Sequence, residues 1–338
     1  MPLRIIEDAS LRGVNTFGVE ARARRLVDVE AVADLPAAAA LVAPEACRLV
    51  LGGGSNVLFS RDFEGTVLRL RTAGRRVLAD HRDHVLVEAE AGEPWDDFVR
   101  WTLGLGLCGL ENLTLIPGSV GASPIQNIGA YGVEIRDRFA GLTAISLVNG
   151  SQRDFAPDEC AFGYRDSVFK RAEAGRWIVT RVRLRLDTEP RLLLDYGEIR
   201  DELRRTGCMV PTPGDVADAV AAIRRRKLPD PAVLGNAGSF FKNPIVDRVR
   251  AQTLLASQPG LPHWNTDQGV KLSAAWMIER CGWKGKREGD AGVHASHALV
   301  LVNHGKATGA EIVALADRIR DSVWQAYGVR LEPEPMIV

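Results

Sequence analysis

The sequence has no excess of charge of either sign. Its 338 residues include 43 lysines and arginines and 43 aspartates and glutamates. Proteins that bind nucleic acid or anionic membranes through charge need a basic excess or a basic stripe on one face. The basic run from Arg224 to Lys227 is short and is typical of a solvated helix end. We therefore expect no nucleic-acid partner.

Cysteine is scarce, and its spacing fits no metal or disulfide pattern. The five residues form no C-x-x-C pair: Cys47, Cys108, Cys160, Cys208 and Cys281. Neither a disulfide framework nor a zinc or iron–sulfur site is predicted, and a reducing compartment fits best. His294 and His297, with His304 nearby, lack an H-E-x-x-H pattern, so ordinary packing is favoured over a metal site.

Long apolar runs are missing as well. No segment approaches the run of about 20 apolar residues that a membrane-spanning helix needs. The first residues, Met-Pro-Leu-Arg-Ile-Ile-Glu-Asp, carry acids where a signal peptide would need an apolar stretch. We therefore expect a cytoplasmic protein without membrane contact. Its length allows two or three domains, each with its own core.

The N-terminal two thirds contain both helical and extended segments. A helix is predicted over about residues 31–42, begun or kinked at Pro36. Another opens at Pro94, where the missing N–H costs nothing, and ends at Gly104 and Gly106. Strands are predicted over residues 48–51 (a short buried strand), 66–70, 84–91 and 177–186. The last has one face of alternating residues: Ile178, Thr180, Val182, Leu184 and Leu186.

Helix caps mark the C-terminal third. Asp215 is predicted to cap one helix and Ser273 a second. Thr308 and Glu311 have the spacing of a capping box for a third helix, which Gly328 closes. Strands and helices thus alternate irregularly, which predicts an α+β fold rather than a doubly wound sheet.

One glycine pattern is a decoy. Gly104-Leu-Gly106-Leu-Cys-Gly109 spells G-x-G-x-x-G, the dinucleotide fingerprint. That fingerprint must follow a strand and open a helix, so that a pyrophosphate meets the helix N-terminus. Here it follows a helix, which predicts a C-terminal cap and turn.

A second glycine run directly follows a predicted strand. Gly52, Gly53 and Gly54 allow a tight turn and close backbone approach to a phosphate, with Ser55 and Asn56 as further hydrogen-bonding groups. A plain glycine turn explains the run equally well.

The segment from Asn112 to Gly132 is long, has no helical or strand periodicity, and is therefore predicted to be functional. Its glycines interleave with polar and apolar side chains: Ser119, Val120, Ser123, Ile125, Gln126, Asn127 and Ile128. Together with residues 52–56, this loop suggests a long ligand that has both a diphosphate and a flat ring.

Three further residues are candidates for chemistry. Arg165 lies among aromatic and apolar residues and is suited to grip a carboxylate or phosphate, although a surface pair with Asp166 is an equal alternative. Ser239 lies between a glycine and two phenylalanines, without a G-x-S-x-G elbow or a spaced histidine, so proton transfer is favoured over nucleophilic attack. Lys227 precedes Leu-Pro-Asp-Pro and fits a phosphate partner.

Six segments in this order resemble the UDP-N-acetylenolpyruvoylglucosamine reductase family, in its subtype with a tyrosine loop. They are residues 15–18, 52–56, 116–132, 164–169, 235–244 and 331–334. The resemblance implies an α+β FAD-binding fold of the vanillyl-alcohol-oxidase type, whose two lobes hold FAD, followed by a C-terminal α+β substrate-binding domain. The implied bounds are 1–72 with the tail 329–338 for the first lobe, 73–209 for the second, and 210–328 for the substrate domain.

The resemblance also implies an activity: FAD-mediated, NADPH-dependent reduction of the enolpyruvyl ether of UDP-N-acetylglucosamine to UDP-N-acetylmuramate for peptidoglycan. Arg165, Ser239 and Glu334 match the catalytic residues, with Ser239 as proton donor. Tyr196, Lys227 and Asn243 match substrate-binding positions. The positions implied for FAD lie in both glycine-rich segments: Gly52, Gly53, Gly54, Ser55, Asn56, Pro117, Gly118, Ser119, Gly121, Ala122, Gln126, Asn127, Gly129 and Tyr131.

Two positions depart from the family pattern. Pro335 and Met336 follow Glu334 where the family commonly has Val-Arg, and His297 stands where the family subtype often has a glutamine that contacts the diphosphate. Two other functions stay open: an FAD-dependent oxidase of the same fold acting on another alcohol or ether, and a nucleotide-sugar-binding protein without catalysis. The expected partners are small molecules, and we expect a monomer.

Overall fold

The structure, a computed structural model, describes residues 3–45 and 47–338. Met1, Pro2 and Ala46, which fall within the expected first lobe, lie outside the described residues. Contacts divide the described chain into two units, taken here one at a time. The first comprises the chain up to Ala9, Ala23–Gly54 and Phe63–Arg226, and the second comprises Ser10–Arg22, Ser55–Asp62 and Lys227–Val338.

The elements are mixed in type along the whole described chain. The helices are α1 (Leu35–Val42), α2 (Trp95–Gly104), α3 (Ile199–Arg205), α4 (Pro213–Lys227), α5 (Arg248–Ser257), α6 (Ala274–Arg280) and α7 (Gly309–Tyr327). The strands are β1 (Arg4–Ser10), β2 (Arg22–Val29), β3 (Arg48–Leu51), β4 (Val57–Leu58), β5 (Phe63–Leu70), β6 (Arg75–Asp80), β7 (His84–Glu90), β8 (Gly129–Ala130), β9 (Val133–Glu134), β10 (Phe139–Ser146), β11 (Gln152–Phe155), β12 (Trp177–Asp187), β13 (Gly235–Ser239), β14 (Ile245–Val246), β15 (His263–Thr266), β16 (Gly269–Leu272), β17 (Arg287–Glu288), β18 (Ala291–Val293), β19 (Val300–Asn303) and β20 (Met336–Ile337).

Two sheets organise the first unit. Strands β1-β2-β5-β3 form one sheet, in which β2 and β3 both run parallel to β5. Strands β11-β10-β12-β7-β6 form an antiparallel sheet. The predicted inner face of β12 holds for Val182, Leu184 and Leu186, which pack in one core. A bulge at Thr180 shifts the alternation, so the prediction for Ile178 was wrong: Ile178 packs in the other core, beside Ile145. Trp95 and Phe98 of α2 pack in the same core as Val182.

Three small sheets and three capped helices organise the second unit, and two of the caps were predicted. The sheets have the strand orders β13-β19-β18-β17, β14-β16-β15 and β20-β4. Ser273 caps α6 by accepting from the N–H of Trp276, as predicted. Thr308 and Glu311 form the predicted capping box of α7, and Gly328 ends that helix with a left-handed φ of 62°.

Three other predictions need correction: the start of a helix, the burial of a strand and the cap of a helix. The helix expected from residue 31 starts as a 3-10 turn, Val32–Asp34, and becomes α1 at Leu35. Strand β3 forms as predicted, but only Leu51 in it is fully buried. Asp215 does not cap α4. Its N–H donates to Thr212 Oγ1 (3.2 Å), and its carboxylate accepts from the Thr212 N–H (2.8 Å), so Thr212 is the capping residue.

The decoy glycine pattern folds as the sequence predicted. Helix α2 ends at Gly104, and Gly106 has a φ of 77°, the left-handed conformation that follows a helix end. Within residues 3–45 and 47–338, no helix is long and apolar enough to cross a bilayer. The same residues contain no cluster of three or more histidine, cysteine or acidic side chains that could hold a metal ion.

Candidate functional site

The two glycine-rich loops touch each other in the first unit. A Cβ atom added to Gly52 would lie 2.2 Å from Ser119 Oγ, and one added to Gly53 would lie 3.2 Å from the Cα of Gly118. Any side chain at residue 52 would therefore displace the second loop. The glycines at these positions are required by close backbone approach, and Gly54 adds a left-handed φ of 64°.

Main-chain hydrogen bonds fix the second loop. The N–H of Gly121 donates to the carbonyl oxygen of Ala91 (2.9 Å), and the N–H of Val120 donates to that of Glu93 (2.9 Å). The N–H of Trp95, at the start of α2, donates to the carbonyl oxygen of Gly118 (3.0 Å). The loop is thus tied to the end of β7 and the start of α2.

Arg165 occupies a strained turn. Gly163 and Asp166 exchange both main-chain hydrogen bonds, and Arg165 between them has a φ of 54°. A left-handed conformation at a residue with a side chain costs on the order of 1–2 kcal/mol. Six described non-glycine residues have such a φ, and four of them belong to the predicted site or to its loop: Leu115, Asn127, Tyr131 and Arg165.

The turn that carries Arg165 packs against the second glycine-rich loop. The guanidinium of Arg165 donates to the carbonyl oxygen of Gly129 (2.6 Å) and stacks over the Tyr164 ring (5.2 Å from its centroid). The Ser167 hydroxyl donates to the carbonyl oxygen of Ile125 (2.6 Å). The carboxylate of Asp166, the alternative partner considered for Arg165, pairs with Arg171 at 2.9 Å.

The side chain of Asn127 binds the same turn, the one that carries Arg165. Its side chain is buried, and its amide donates to the carbonyl oxygen of Gly163 (2.9 Å) and to the Glu134 carboxylate (2.8 Å). Its Oδ1 accepts from the N–H of Arg136 (3.2 Å). The side-chain hydrogen bonds of Asn127 are therefore made within the protein, and they connect the second glycine-rich loop to the Arg165 turn.

Two tyrosines interlock on the same unit. The Tyr131 and Tyr196 rings meet edge to face, with centroids 6.2 Å apart and planes at 80°. The glycine after each tyrosine lies beside the ring of the other. A Cβ atom added to Gly132 would lie 3.5 Å from Tyr196, and one added to Gly197 would lie 3.9 Å from Tyr131. Tyr196 is 45% exposed, so its ring is available to a ligand.

Ser239 lies at a β-bulge in the second unit. Gly235 and Asn236 pair with Asn303 and Val302 of β19, but the register then shifts, so that Ser239 pairs with Val300. Gly238, inside the bulge, has a φ of 69°. A bulge re-aims the next side chain, and the half-buried Ser239 hydroxyl makes no hydrogen bond to any described residue.

The residues around Ser239 are rigid. The Asn236 amide donates to the carbonyl oxygens of Pro229 (3.2 Å) and Leu234 (2.7 Å), and its Oδ1 accepts from the N–H of Gly238 (2.8 Å). Phe240 is fully buried, and its ring packs edge to face on Phe17, 6.2 Å between centroids.

The N-terminal motif at residues 15–18 supports this strand directly. The main-chain N–H of Asn236 donates to the carbonyl oxygen of Thr16 (3.0 Å), and the Asn303 amide donates to that of Phe17 (3.0 Å). A Cβ at Gly235 would lie 2.2 Å from the Phe17 carbonyl oxygen, so only glycine fits there. The motif is therefore a support for the Ser239 strand.

Glu334 reaches the same strand through the C-terminal tail. Its N–H donates to the carbonyl oxygen of Phe240 (2.8 Å), and the N–H of Lys242 donates to that of Glu332 (3.0 Å). The Asn56 amide donates to the carbonyl oxygen of Glu334 (3.3 Å). The structure thus brings Ser239 and Glu334, two of the three predicted catalytic residues, onto segments joined by main-chain hydrogen bonds, while Arg165 belongs to the first unit.

The predicted diphosphate residues also belong to the second unit. Asn243 Oδ1 accepts from the N–H of Ala274 (3.0 Å), the first residue of α6, which leaves its amide NH2 as the group that can donate. Burial lowers the pKa of His297, and the charge of Lys227 lowers it further. His297 Nδ1 accepts from the N–H of Leu299 (3.3 Å), so the neutral ring carries its proton on Nε2.

Sequence analysis did not identify several residues whose hydrogen bonds hold the candidate site in place. Asn236 lies inside a motif that was recognised, yet its three hydrogen bonds were not foreseen. Arg224, interpreted as part of a solvated basic run, is half-buried: its Nε donates to the carbonyl oxygen of Leu115 (3.2 Å), and burial lowers the pKa of its guanidinium. Asn112 is buried and was given no role. The apolar spacing of Val216, Val220 and Ile223 could have placed Arg224 near the buried face of α4.

Comparison with known proteins agrees with these features. Residues 23–156 match the family model described as FAD binding domain, and residues 230–338 match the one described as UDP-N-acetylenolpyruvoylglucosamine reductase, C-terminal domain. A protein of the latter name from Pseudomonas aeruginosa is 55% identical over 337 residues, 99% of each chain. One from Chromobacterium violaceum is 52% identical over 344 residues, 100% of each chain.

A solved structure extends the agreement to the fold. The UDP-N-acetylenolpyruvylglucosamine reductase of Thermus caldophilus superposes with a TM-score of 0.66 at 27% identity, and the match covers 100% of this chain and 99% of that one. The expected α+β FAD-binding fold with a C-terminal domain is confirmed, and so is FAD as cofactor. The chain belongs to the UDP-N-acetylenolpyruvoylglucosamine reductase family and is an FAD-dependent oxidoreductase.

Proposed function

We propose that this enzyme reduces the enolpyruvyl ether of UDP-N-acetylglucosamine to the lactyl ether, UDP-N-acetylmuramate, with NADPH as reductant. The reaction adds a hydride to the terminal carbon of the double bond and a proton to the carbon that bears the carboxylate. The observation that carries the proposal is the bulge at residues 236–239, which places Ser239 directly before Phe240, the residue whose carbonyl oxygen accepts from the N–H of Glu334.

The glycine-rich loops fit the cofactor. Gly52 and Gly53 pack against Ser119 and Gly118 so closely that no side chain could intervene, which leaves main chain to face a diphosphate. We assign FAD contacts to these loops, from residue 52 to Asn56 and from Pro117 to Tyr131, with Gln126 among them. FAD supplies the hydride chemistry when bound, and the protein supplies orientation, polarisation and the proton.

Arg165 is assigned to the substrate carboxylate. As the hydride adds, negative charge develops on the adjacent carbon and spreads onto that carboxylate. A guanidinium held in a strained turn is pre-oriented for such charge, because its backbone cannot relax away from the loop that supports it. The left-handed φ of Arg165 thus supports a catalytic role rather than a surface ion pair.

Ser239 is assigned as the proton donor, with Glu334 as its assistant. A serine hydroxyl is a weak acid. When it gives its proton to carbon, the alkoxide left behind must be stabilised or must receive a proton from a neighbouring group. Glu334 is placed one main-chain hydrogen bond from the residue after Ser239 and can take part in that exchange. The rigid frame of Asn236, Phe240 and Phe17 keeps the hydroxyl in one position.

We assign the nucleotide diphosphate to Lys227 and Asn243, and the closing of the tyrosine loop to Tyr196. The Asn243 amide is oriented by its bond to α6, and Tyr196 is exposed.

We retain the domain bounds 1–72 with 329–338, 73–209, and 210–328. The pairing of β20 with β4 supports them, because it returns the tail to the first of these segments. We also propose that the enzyme is a cytoplasmic monomer.

One experiment tests the assignment as a whole. The purified protein is examined for flavin absorbance, and NADPH oxidation is followed with and without the enolpyruvyl nucleotide, with the product identified by mass. We expect oxidation that depends on the nucleotide and a product heavier by two hydrogens. A colourless protein that cannot be reconstituted with FAD would contradict the proposal, and equal oxidation with oxygen alone would point to an oxidase.

A further inference from the structure

Asn112 joins the two tyrosine-bearing segments of the first unit through one side-chain amide. Its Nδ2 donates to the carbonyl oxygen of Tyr131 (2.9 Å) and to that of Leu193 (2.9 Å). Asn112 is 1% exposed, so both bonds are shielded from water. Because both acceptors are main-chain carbonyls, the orientation of the amide is fixed: a flipped amide would place Oδ1 against two oxygens.

The oxygen of the same Asn112 amide is buried at a cost in free energy. Asn112 Oδ1 is buried without a hydrogen-bond partner in the described part of the chain. Buried acceptors of this kind are uncommon, and each requires an explanation. A residue whose only role is packing would not bury an acceptor that lacks a hydrogen bond. The buried oxygen of Asn112 therefore indicates that the two N–H donors of the same amide have a role.

Alternate side chains also attach the segment that carries Tyr196. Leu192 and Leu194 pack against the core of α3 and α4, as does Tyr131, whereas Leu193 is 53% exposed. The main chain at Leu193 therefore faces inward between two anchored leucines. Asn112 adds the polar attachment at that point, three residues before Tyr196.

We propose that Asn112 is a positioning residue that acts through Tyr196. By binding the carbonyls of Tyr131 and Leu193 at once, it keeps the Tyr131 and Tyr196 rings in their edge-to-face pair and holds the tyrosine loop in the conformation that meets the nucleotide substrate. The proposal rests on the substrate role assigned to Tyr196 above. It concerns binding of the nucleotide rather than FAD or the reaction with NADPH.

The test is a double-mutant cycle on the FAD-loaded enzyme. Asn112→Asp preserves shape but turns donors into acceptors that repel both carbonyls. We expect the KM for the enolpyruvyl nucleotide to rise about 10-fold with kcat changed less than twofold, because a smaller fraction of the enzyme has the loop in place. In a Tyr196→Ala background, Asn112→Asp should raise KM no further. Asn149→Asp, in the exposed β10–β11 turn, is the matched control.

A second measurement does not depend on activity. Hydrogen exchange at residues 191–197 should be faster in Asn112→Asp than in the wild type, with exchange in β12 unchanged. Should that variant fail to accumulate, Gly132→Ala perturbs the same ring pair from the other side, and its KM should rise as well. Equal and additive KM effects in both backgrounds, or unchanged exchange, would overturn the proposal. Faster exchange with no turnover by the wild type would instead count against the proposed function.

Discussion

The main-chain N–H of Glu334 donates to the carbonyl oxygen of Phe240 at 2.8 Å, and Phe240 directly follows Ser239. This one hydrogen bond relates a residue near the C-terminus to a bulge almost a hundred positions earlier. It joins the two segments that carry the residues to which we assign proton transfer. The altered sequence after Glu334 must therefore be compatible with that pairing.

Pro335 is compatible because its position needs no donor. Along the tail, the N–H groups of Met336 and Val338 donate to the carbonyl oxygens of Asn56 (3.0 Å) and Leu58 (2.9 Å). Alternate residues of an edge strand direct their N–H groups away from the partner, so a proline there removes no ladder bond. The departure from the family pattern leaves the main chain around Glu334 intact.

The first prediction concerns the charge of Glu334. Glu334→Gln keeps the main-chain bonds to Phe240 and Asn56 but cannot exchange a proton. We expect about a 10²-fold slower reoxidation of the flavin by the nucleotide, with reduction by NADPH unchanged. Glu332→Gln, two residues earlier and paired with Lys242 on the surface, is the control. If both variants behaved alike, the role assigned to Glu334 would be wrong.

Asn243 allows a donor to be removed without loss of a helix contact. In Asn243→Asp the remaining oxygen still accepts from the N–H of Ala274, while the NH2 group is replaced by negative charge. We predict a rise of at least about tenfold in the KM for the nucleotide, because each lost charge-assisted hydrogen bond weakens binding by about 1.5–3 kcal/mol. Steady-state kinetics and thermal unfolding together check this. A large fall in unfolding temperature with KM unchanged would contradict a phosphate contact.

His297 makes folding sensitive to acid. Burial, and then Lys227, lower the pKa of His297 in the folded chain. The unfolded chain, with an ordinary histidine pKa of about 6.5, therefore binds more protons below that pH, so stability is full above it and is lost as pH falls toward the lowered folded value. His297→Gln should lose less unfolding free energy than the wild type between about pH 7 and pH 5. Denaturant titrations at both pH values measure this, and an equally steep loss in the variant would refute it.

Much of the site could be predicted because its signals are local. Strand β7 alternates, as β12 does from Val182 to Leu186. The glycines at 52 and 53 predicted close approach to a phosphate, and the structure shows that they also pack closely against Ser119 and Gly118. Thr308 and Glu311 lie within one helical turn. Thr212 and Asp215 have the same spacing, but the cap was assigned to the wrong end of the pair.

Features that depend on distant partners could not be predicted. The bulge before Ser239 exists only in register with Val300 of β19. Asn112 binds carbonyl oxygens that lie 19 and 81 residues away in sequence, and backbone acceptors leave no trace in residue type. Arg224 belonged to a basic run, and only the packing of α4 distinguishes its half-buried side chain from the exposed ones of Arg225 and Arg226.

Anaerobic stopped-flow measurement of the two half-reactions of Ser239→Ala tests whether Ser239 donates the proton. We predict that NADPH reduces the flavin at nearly the wild-type rate, while reoxidation by the enolpyruvyl nucleotide slows by about 10²–10⁴-fold, the usual contribution of a positioned acid. Ser322→Ala, an exposed hydroxyl of α7, should leave both rates unchanged. Equal loss in both half-reactions, or undiminished reoxidation, would show that Ser239 is not the proton donor.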